Sequence, residues 1–507
     1  MLIKAAGVRL SLFLFSMFLL CAAATPLAAR TMYLSPTGND SSPCAPGAEF
    51  LTLPAALGCL SAGDTLIVRN GIYFGGLIVQ LEGTPEAPIL IRGESLEAII
   101  DTSRNGLDAL RLDHSSYVTL DRLTFRHATR AGIGIINCDH ITVTNCRCAD
   151  NGKWGILTGF AYAVHFEGNE CYGSKDEHGI YHSNSGDRFV IRGNILHDNA
   201  ANGLHLNGDP ELVAPGSDGV LDYGIVERNI IYGNGQRGGA GINMTHVHDV
   251  LVRNNLIYNN YAGGFTVYQD NGTFEQGSKR VVIFGNTVYF RQNDRNVVNV
   301  AQTSEKVVVA NNILVATANH AVLQIDSDYL STIVSDHNLF WGTGTAQAVE
   351  RKGRATTFDS WRNGGNDRHT VFADPLFANI DSLNFRPADT SKAIDAGMPV
   401  DSLKAILTGL GGFEWILAQL DSLPYEDILK NYRPAGAAPD IGAYESGAEP
   451  EKLYDFNGDG RFNLIDALAL ILQSRRDPQN KRLDIDGDGS YSASDVLRLL
   501  LILIGIA

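Results

Sequence analysis

Short units of one kind recur along the middle of this chain, each with a polar residue at a fixed place in an apolar frame. VTNCRC, FEGNEC, IRGNIL, VERNII, VRNNLI, IFGNTV and VANNIL place Asn145, Asn169, Asn194, Asn229, Asn255, Asn286 and Asn312 in register. Asn338 continues the series and Asp121 starts it. Successive members lie 24, 24, 25, 35, 26, 31, 26 and 26 residues apart. A period of this size marks a solenoid. Each unit is too small to bury its own apolar face, so stacking must supply the core. The Leu-x-x-Leu-x-Leu frame of leucine-rich repeats is absent, and a propeller needs about 40 residues per blade. The Asn residues are expected in left-handed turns, bonded to the copies above and below as a ladder.

Composition agrees with short strands and tight turns. Gly numbers 53 of 507 residues, and Asn-Gly, Gly-Asn and Asp-Gly pairs recur. A net charge of -16 and the lack of a basic patch exclude a nucleic-acid binder of the usual kind. Lys4 and Arg9 precede an apolar run from Leu10 to Ala24. That run is short for a membrane span, so residues 1–29 read as an export signal, with no membrane span after cleavage. The expected location is secreted, extracellular or at the cell surface. There Cys44 and Cys59 could pair. Cys138, Cys146, Cys148 and Cys171 lie in the repeats without metal-ligand spacing and read as buried small side chains.

Aligning the units on Gly155, Gly179, Gly203, Gly241 and Gly264 exposes a second regularity. Two residues on come Leu157, Tyr181, His205, Asn243 and Thr266. Side chains alternate between the faces of a strand, so these five form one outward column, spaced by about one strand separation of 5 Å. The two long gaps hold insertions at 209–222 and 269–280, each directly after a strand of this column. Solenoid insertions loop out on one face, often the binding face. The expected catalytic residues are therefore His205, able to exchange a proton near neutral pH, Tyr181 as an acid, and Asp209 close enough to bias the histidine. His178, Asn184, Asn207, Asn243, Arg237 and Gln269 are the expected substrate contacts.

Residues 30–100 carry "strand, SPxGND, helix, GDTLxVxxGxY", a pattern that resembles the opening segment of secreted right-handed parallel β-helix proteins. The resemblance implies an all-β, right-handed parallel β-helix: N-terminal cap and first coils at 30–100, helix coils at 101–345, and a closing segment at 346–445 with a helical insertion. Such proteins are similar to polysaccharide lyases, uronan C5-epimerases and some glycoside hydrolases. One pectate lyase family carries NGFKLGG with a Lys base; the comparable unit here is NGLHLNG, with His205 in that place. Asp176 and His178 resemble the Asp-x-His of mannuronan epimerases, with Gly173 where those have Tyr. The expected activity is cleavage, or C5 epimerisation, of an acidic polysaccharide in a groove. A hydrolase needs two carboxylates across one bond, and Asp187 with Asp209, or Asp209 with Asp222, could supply them. The remaining alternative is a non-catalytic carbohydrate-binding or structural solenoid.

After a linker at 446–453, DFNGDGRFNLID and DIDGDGSYSASD place oxygen ligands at loop positions 1, 3, 5, 9 and 12 with Gly at 6, a hard-donor set suited to Ca²⁺. Both loops precede an apolar helix, and no helix enters the first. Residues 454–507 resemble a type I dockerin, a small α-helical calcium-binding domain. By that resemblance Asp455, Asn457, Asp459, Asn463, Asp466, Asp484, Asp486, Asp488, Ser492 and Asp495 ligate calcium, and Arg461 and Ser490 contribute carbonyls. The implied partner is a cohesin-bearing scaffold protein. A calcium ion in the β-helix itself stays an open alternative.

Overall fold

The computed structural model describes residues 29–447, except 104–105, 214–216, 291–294, 317–319, 343–346 and 352–353, and in the tail only 469–471, 495–496 and 499. The expected export signal thus lies outside the described residues up to position 28. So do the calcium-ligand candidates Asp455, Asn457, Asp459, Arg461, Asn463, Asp466, Asp484, Asp486, Asp488, Ser490 and Ser492. Asp495 is described and buried.

The chain winds as a parallel β-helix. Successive coils stack three strands each into sheets of 13, 12 and 12 strands. One coil contributes His165–Glu167, Glu170–Tyr172 and Ile180–Ser183; the next contributes Val190–Arg192, Ile195–His197 and Leu204–Asn207. The first sheet runs from the N-terminal strands to Val334–Asp336, the second from Gly71–Phe74 to Val371–Phe372, and the third from Leu77–Val79 to Arg354–Thr356. The interior is filled by stacked aliphatic and aromatic side chains, among them Phe125, Phe166, Phe189, Phe265 and Phe340, all fully buried. This continuous column is the core that no single coil could form.

The asparagine ladder exists and is bonded coil to coil as expected. Asn169, Asn194, Asn229, Asn255, Asn286, Asn312 and Asn338 are 0% exposed. Asn229 is typical. Its Oδ1 accepts from the backbone N–H and the side-chain amide of Asn194, both at 3.0 Å. Its own amide donates to Ile191 O and to Asn255 Oδ1, both at 2.9 Å. These Asn residues do not adopt left-handed geometry; the residue before each does, as at Gly168 (φ 66°), Arg228 (φ 56°) and His337 (φ 54°). Asn145 (φ 53°) holds that preceding position, so Cys146 fills its ladder slot and donates to Asn169 Oδ1 at 2.9 Å. Asp121 is likewise outside the ladder and accepts from Asn145 Nδ2 at 3.0 Å. A second ladder, not anticipated, runs through Asn199, Asn234 and Asn260 at the next corner. Its signal was a polar residue five positions after the first: Ser174, Asn199, Asn234 and Asn260 follow Asn169, Asn194, Asn229 and Asn255.

Cys44 and Cys59 form a disulfide with a Cα separation of 5.4 Å. Cys138, Cys146, Cys148 and Cys171 are buried free thiols. The C-terminal part of the described chain covers two of the three sheets. Helices Val400–Leu410 and Glu414–Ser422 lay Leu403, Leu407, Ile416 and Leu420 over Leu251, Val282 and Val308 of the first sheet. Phe377, Phe385 and Ile441 close over Tyr258, Tyr289 and Val315 of the second. The outer face that carries the predicted column belongs to the third sheet.

Candidate functional site

The register of the third sheet is the predicted one. Leu157 pairs with Tyr181, Tyr181 with His205, His205 with Asn243, and Asn243 with Thr266. Both insertions leave the same edge of this sheet, and they are joined: Gln276 Nε2 donates to Asp218 O at 2.7 Å. His246, fully buried, seats the second loop by bonding Gln276 O at 2.8 Å and Asp270 Oδ1 at 2.7 Å. The two loops are thus joined to each other beside the column.

An aromatic floor lies at the column. Trp154 stacks on Tyr181 with ring centres 5.4 Å apart, and Tyr181 lies 5.1 Å from His205. His178 meets both rings edge-on at 5.3 and 4.8 Å. Trp154 Nε1 donates to Glu177 Oε2 at 3.1 Å, and Lys153 pairs with Glu177 at 3.4 Å. Asn207 Nδ2 donates to the Tyr181 hydroxyl oxygen at 3.0 Å, which leaves the phenolic proton free. Asn207 Oδ1 accepts from Asp209 N at 3.2 Å, so Asp209 is tied to the same end of the floor.

Hydrogen bonding fixes the protons of the two histidines. His178 Nδ1 faces two donors, Asn202 N at 3.2 Å and Asn202 Nδ2 at 3.3 Å. The Asn202 amide is oriented by its Oδ1, which accepts from Ala240 N at 2.6 Å. His178 therefore carries its proton on Nε2, 3.1 Å from His205 Nδ1. His205 Nδ1 accepts, which leaves the His205 proton on Nε2. That Nε2 is buried and has no hydrogen-bond partner. One coil on, Asn243 Oδ1 is also buried and unpartnered. An unpaired donor and an unpaired acceptor thus sit on paired positions of adjacent strands.

Electrostatics bears on the protonation of His205. Burial lowers its pKa to about 4, and the charge that opposes this is Asp270, not Asp209. The neutral ring, with its proton on Nε2, is set up as a hydrogen-bond donor. Burial, then the neighbouring His205, also hold His178 well below the ordinary histidine value. Burial raises the Tyr181 pKa; the Asn207 hydrogen bond opposes this, and Asp209, Glu177 and Asp270 add to the rise.

The structure brings His178, Tyr181, His205, Asn207, Asp209 and Asn243 together, but not every expected contact is available to substrate. His178 is buried beneath His205 and supports it. Asn184 is buried, accepts from Ser183 Oγ at 2.5 Å and points its amide at Asp209 and Leu212. Gln269 is used inside its own loop, donating to Asn271 O at 2.6 Å and Thr273 O at 2.7 Å. Arg237 is exposed and bound to Asp176 at 2.6 Å. Trp154, Glu177 and Asp270 were missed. Trp154 was readable in the same alignment: the position before each aligned Gly reads Trp154, His178, Asn202, Ala240 and Gly263.

A separate carboxylate group sits where the first insertion returns to the first sheet. Asp187 Oδ1 accepts from Asp222 N at 3.0 Å. Burial, reinforced by Asp187, Asp218 and Asp249, pushes the Asp222 pKa up to about 7. Burial raises Asp187 as well. His248 lies 3.5 Å from Asp222 and is itself lowered to about 4, first by burial.

The chain matches two family models: a right handed beta helix region over residues 99–218 and a dockerin type I domain over 453–501. It is a right-handed parallel β-helix protein with a C-terminal dockerin domain. Over 436 residues it is 24% identical to the uncharacterized protein YwoF of Bacillus subtilis, covering 70% of this chain and 90% of that one. Among solved structures it resembles pectate lyase Pel9A, with a TM-score of 0.52 at 16% identity, over 83% of this chain and 97% of that one. It also matches the GH136 lacto-N-biosidase from Eubacterium ramulus, with a TM-score of 0.47 at 13% identity, over 68% of each chain.

Proposed function

We propose that this protein is a secreted, polysaccharide-active enzyme whose substrate lies across Trp154, Tyr181, His205 and Asn243. The observation that carries the reading is the aromatic floor of Trp154 and Tyr181 on the outward column, beside the two joined insertions. Trp154 and Tyr181 offer ring faces to a sugar.

The reaction class is that of a lyase or C5-epimerase on an acidic polysaccharide. Both reactions remove the proton next to a uronate carboxyl group. Asp209 is the acceptor of that proton. Tyr181, kept protonated by its surroundings, donates to the departing glycosidic oxygen in elimination. His205 and Asn243 position the sugar. Asp209, Glu177 and Asp270 all bear on Tyr181, so a uronate would enter with a cation offsetting their charge. A hydrolase is the second reading, favoured by one observation: Asp222 is pushed up to about 7 beside Asp187, the kind of carboxyl that acts as a general acid. The C-terminal domain would hold calcium and tether the enzyme to a cohesin-bearing scaffold.

A polysaccharide panel, with and without calcium, tests this. Absorbance at 235 nm with new reducing ends marks a lyase, and ends without absorbance mark a hydrolase. A changed polymer proton spectrum with neither marks an epimerase. No change in any polymer, with binding retained, would replace the enzyme reading by a binding module.

A further inference from the structure

A second cluster of chemically capable side chains lies far along the solenoid from the column, at the corner where its last coils close. Strand Val334–Asp336 ends there, and the chain returns 33 residues later ahead of Val371–Phe372. Asp336, His337 and His369 each offer one ligand atom, all within 4.8 Å of one another. We propose that these three residues bind a divalent transition-metal ion of the zinc type.

The carboxylate is held in place by backbone. Asp336 Oδ1 accepts from His337 N at 2.9 Å and His369 N at 2.8 Å. This leaves Oδ2 facing the two imidazoles. His369 Nδ1 is 2.7 Å from it. His337 Nδ1 is 3.4 Å away, unaligned for a hydrogen bond, buried and otherwise without a partner. The two rings stack at 4.5 Å with 27° between their planes, so both Nδ1 atoms present to one side. Two neutral imidazoles and one carboxylate form a borderline donor set that favours zinc, cobalt, nickel or copper over calcium and magnesium. A metal there needs metal–nitrogen distances of about 2.0–2.1 Å, within reach of small side-chain rotations. Fixing the carboxylate through its second oxygen is what an outer layer of hydrogen bonds does for a metal ligand. The ion would clip together two coils that the chain joins only through a long excursion, and closing such an excursion stabilises the fold.

The test uses the full-length protein saturated with calcium, so that the dockerin loops are filled. Cobalt(II) is added to the wild type and to His369→Ala, whose side chain is 63% exposed and whose loss should leave the fold intact. The wild type should develop intense visible absorption and take up one more equivalent than the variant. Zinc should displace the cobalt and raise the melting temperature of the wild type only. Oxygen-only calcium loops cannot give that absorption. Equal uptake and equal spectra in the two proteins would overturn the proposal. If the variant does not fold, the wild type decides alone: no intense cobalt band means no site.

Discussion

Which nitrogen of His205 carries the proton is decided by Asn202, through His178. The sequence showed His205 on the outward face, because strand alternation is local. It could not show the tautomer, because that depends on His178 of the preceding coil, held by the Asn202 amide, which Ala240 of the following coil orients. Long-range proton–nitrogen NMR should find His205 neutral, protonated on Nε2, and without a titration midpoint above pH 5, since burial lowers its pKa to about 4. A midpoint near 6.5 would mean the ring is solvated and the site misread. Asp222 allows a second test. Its pKa is raised from 3.8 to about 7, so the folded state prefers the protonated form. The unfavourable charge is absent below the unfolded value, grows as the pH rises, and is complete above about 7. Asp222→Asn should therefore raise the melting temperature at pH 8.5, by the equivalent of about 1–3 kcal/mol, and change little at pH 4. The reverse pattern would contradict the assignment. His182, His205 and His248 act in the opposite sense: each is lowered from 6.5 to about 4, so their contribution is full above 6.5 and fades as the pH falls toward 4.

At the scale of the element, the ladder turns a sequence period into a structure. The period was legible because each coil from Asn169 to Asn312 carries an amide that bonds to the next. The offset at Asn145 was not, because the left-handed slot just before the ladder also accepts Asn, and Cys146 fits the buried slot as a small side chain. The groove sheet was legible for another reason: its Gly residues keep the register visible through both insertions. Which contacts the insertions use up was not, since Gln269 and Asn184 bond within or against the loops themselves. Replacing Asn229 with Leu removes the acceptor of Asn194 N and the donor to Ile191 O. The cost should be about 1–3 kcal/mol for each buried group left unpaired. Denaturant unfolding measures it, and a variant as stable as the wild type would show that the ladder does not hold the coils together.

For the whole molecule, one solenoid supplies a long open face while its C-terminal chain covers the other two sheets, and a dockerin domain follows. The two domains were legible because each rests on repeated motifs; the covering of two sheets was not, because it depends on contacts such as Leu403 and Phe385 with distant coils. The two acidic loops proposed to hold calcium carry carboxylates that would repel one another without a cation. Full-length protein should therefore bind two calcium ions, and chelation should expose the tail to proteolysis while leaving the β-helix intact. Equal cleavage with and without chelator would contradict that.

If the reaction runs at the Tyr181–His205 floor, the Tyr181 hydroxyl is the group it cannot lose. Tyr181→Phe tests it most directly, because it removes one hydroxyl and keeps the ring that stacks on Trp154. On a polymer that the wild type converts, the variant should bind as the wild type does and keep its melting temperature, yet turn over about 10²–10⁴-fold more slowly, the loss expected when a proton donor is removed. Turnover above about a tenth of wild type would contradict the account and move the reaction elsewhere, with the Asp187–Asp222 pair the next to be replaced.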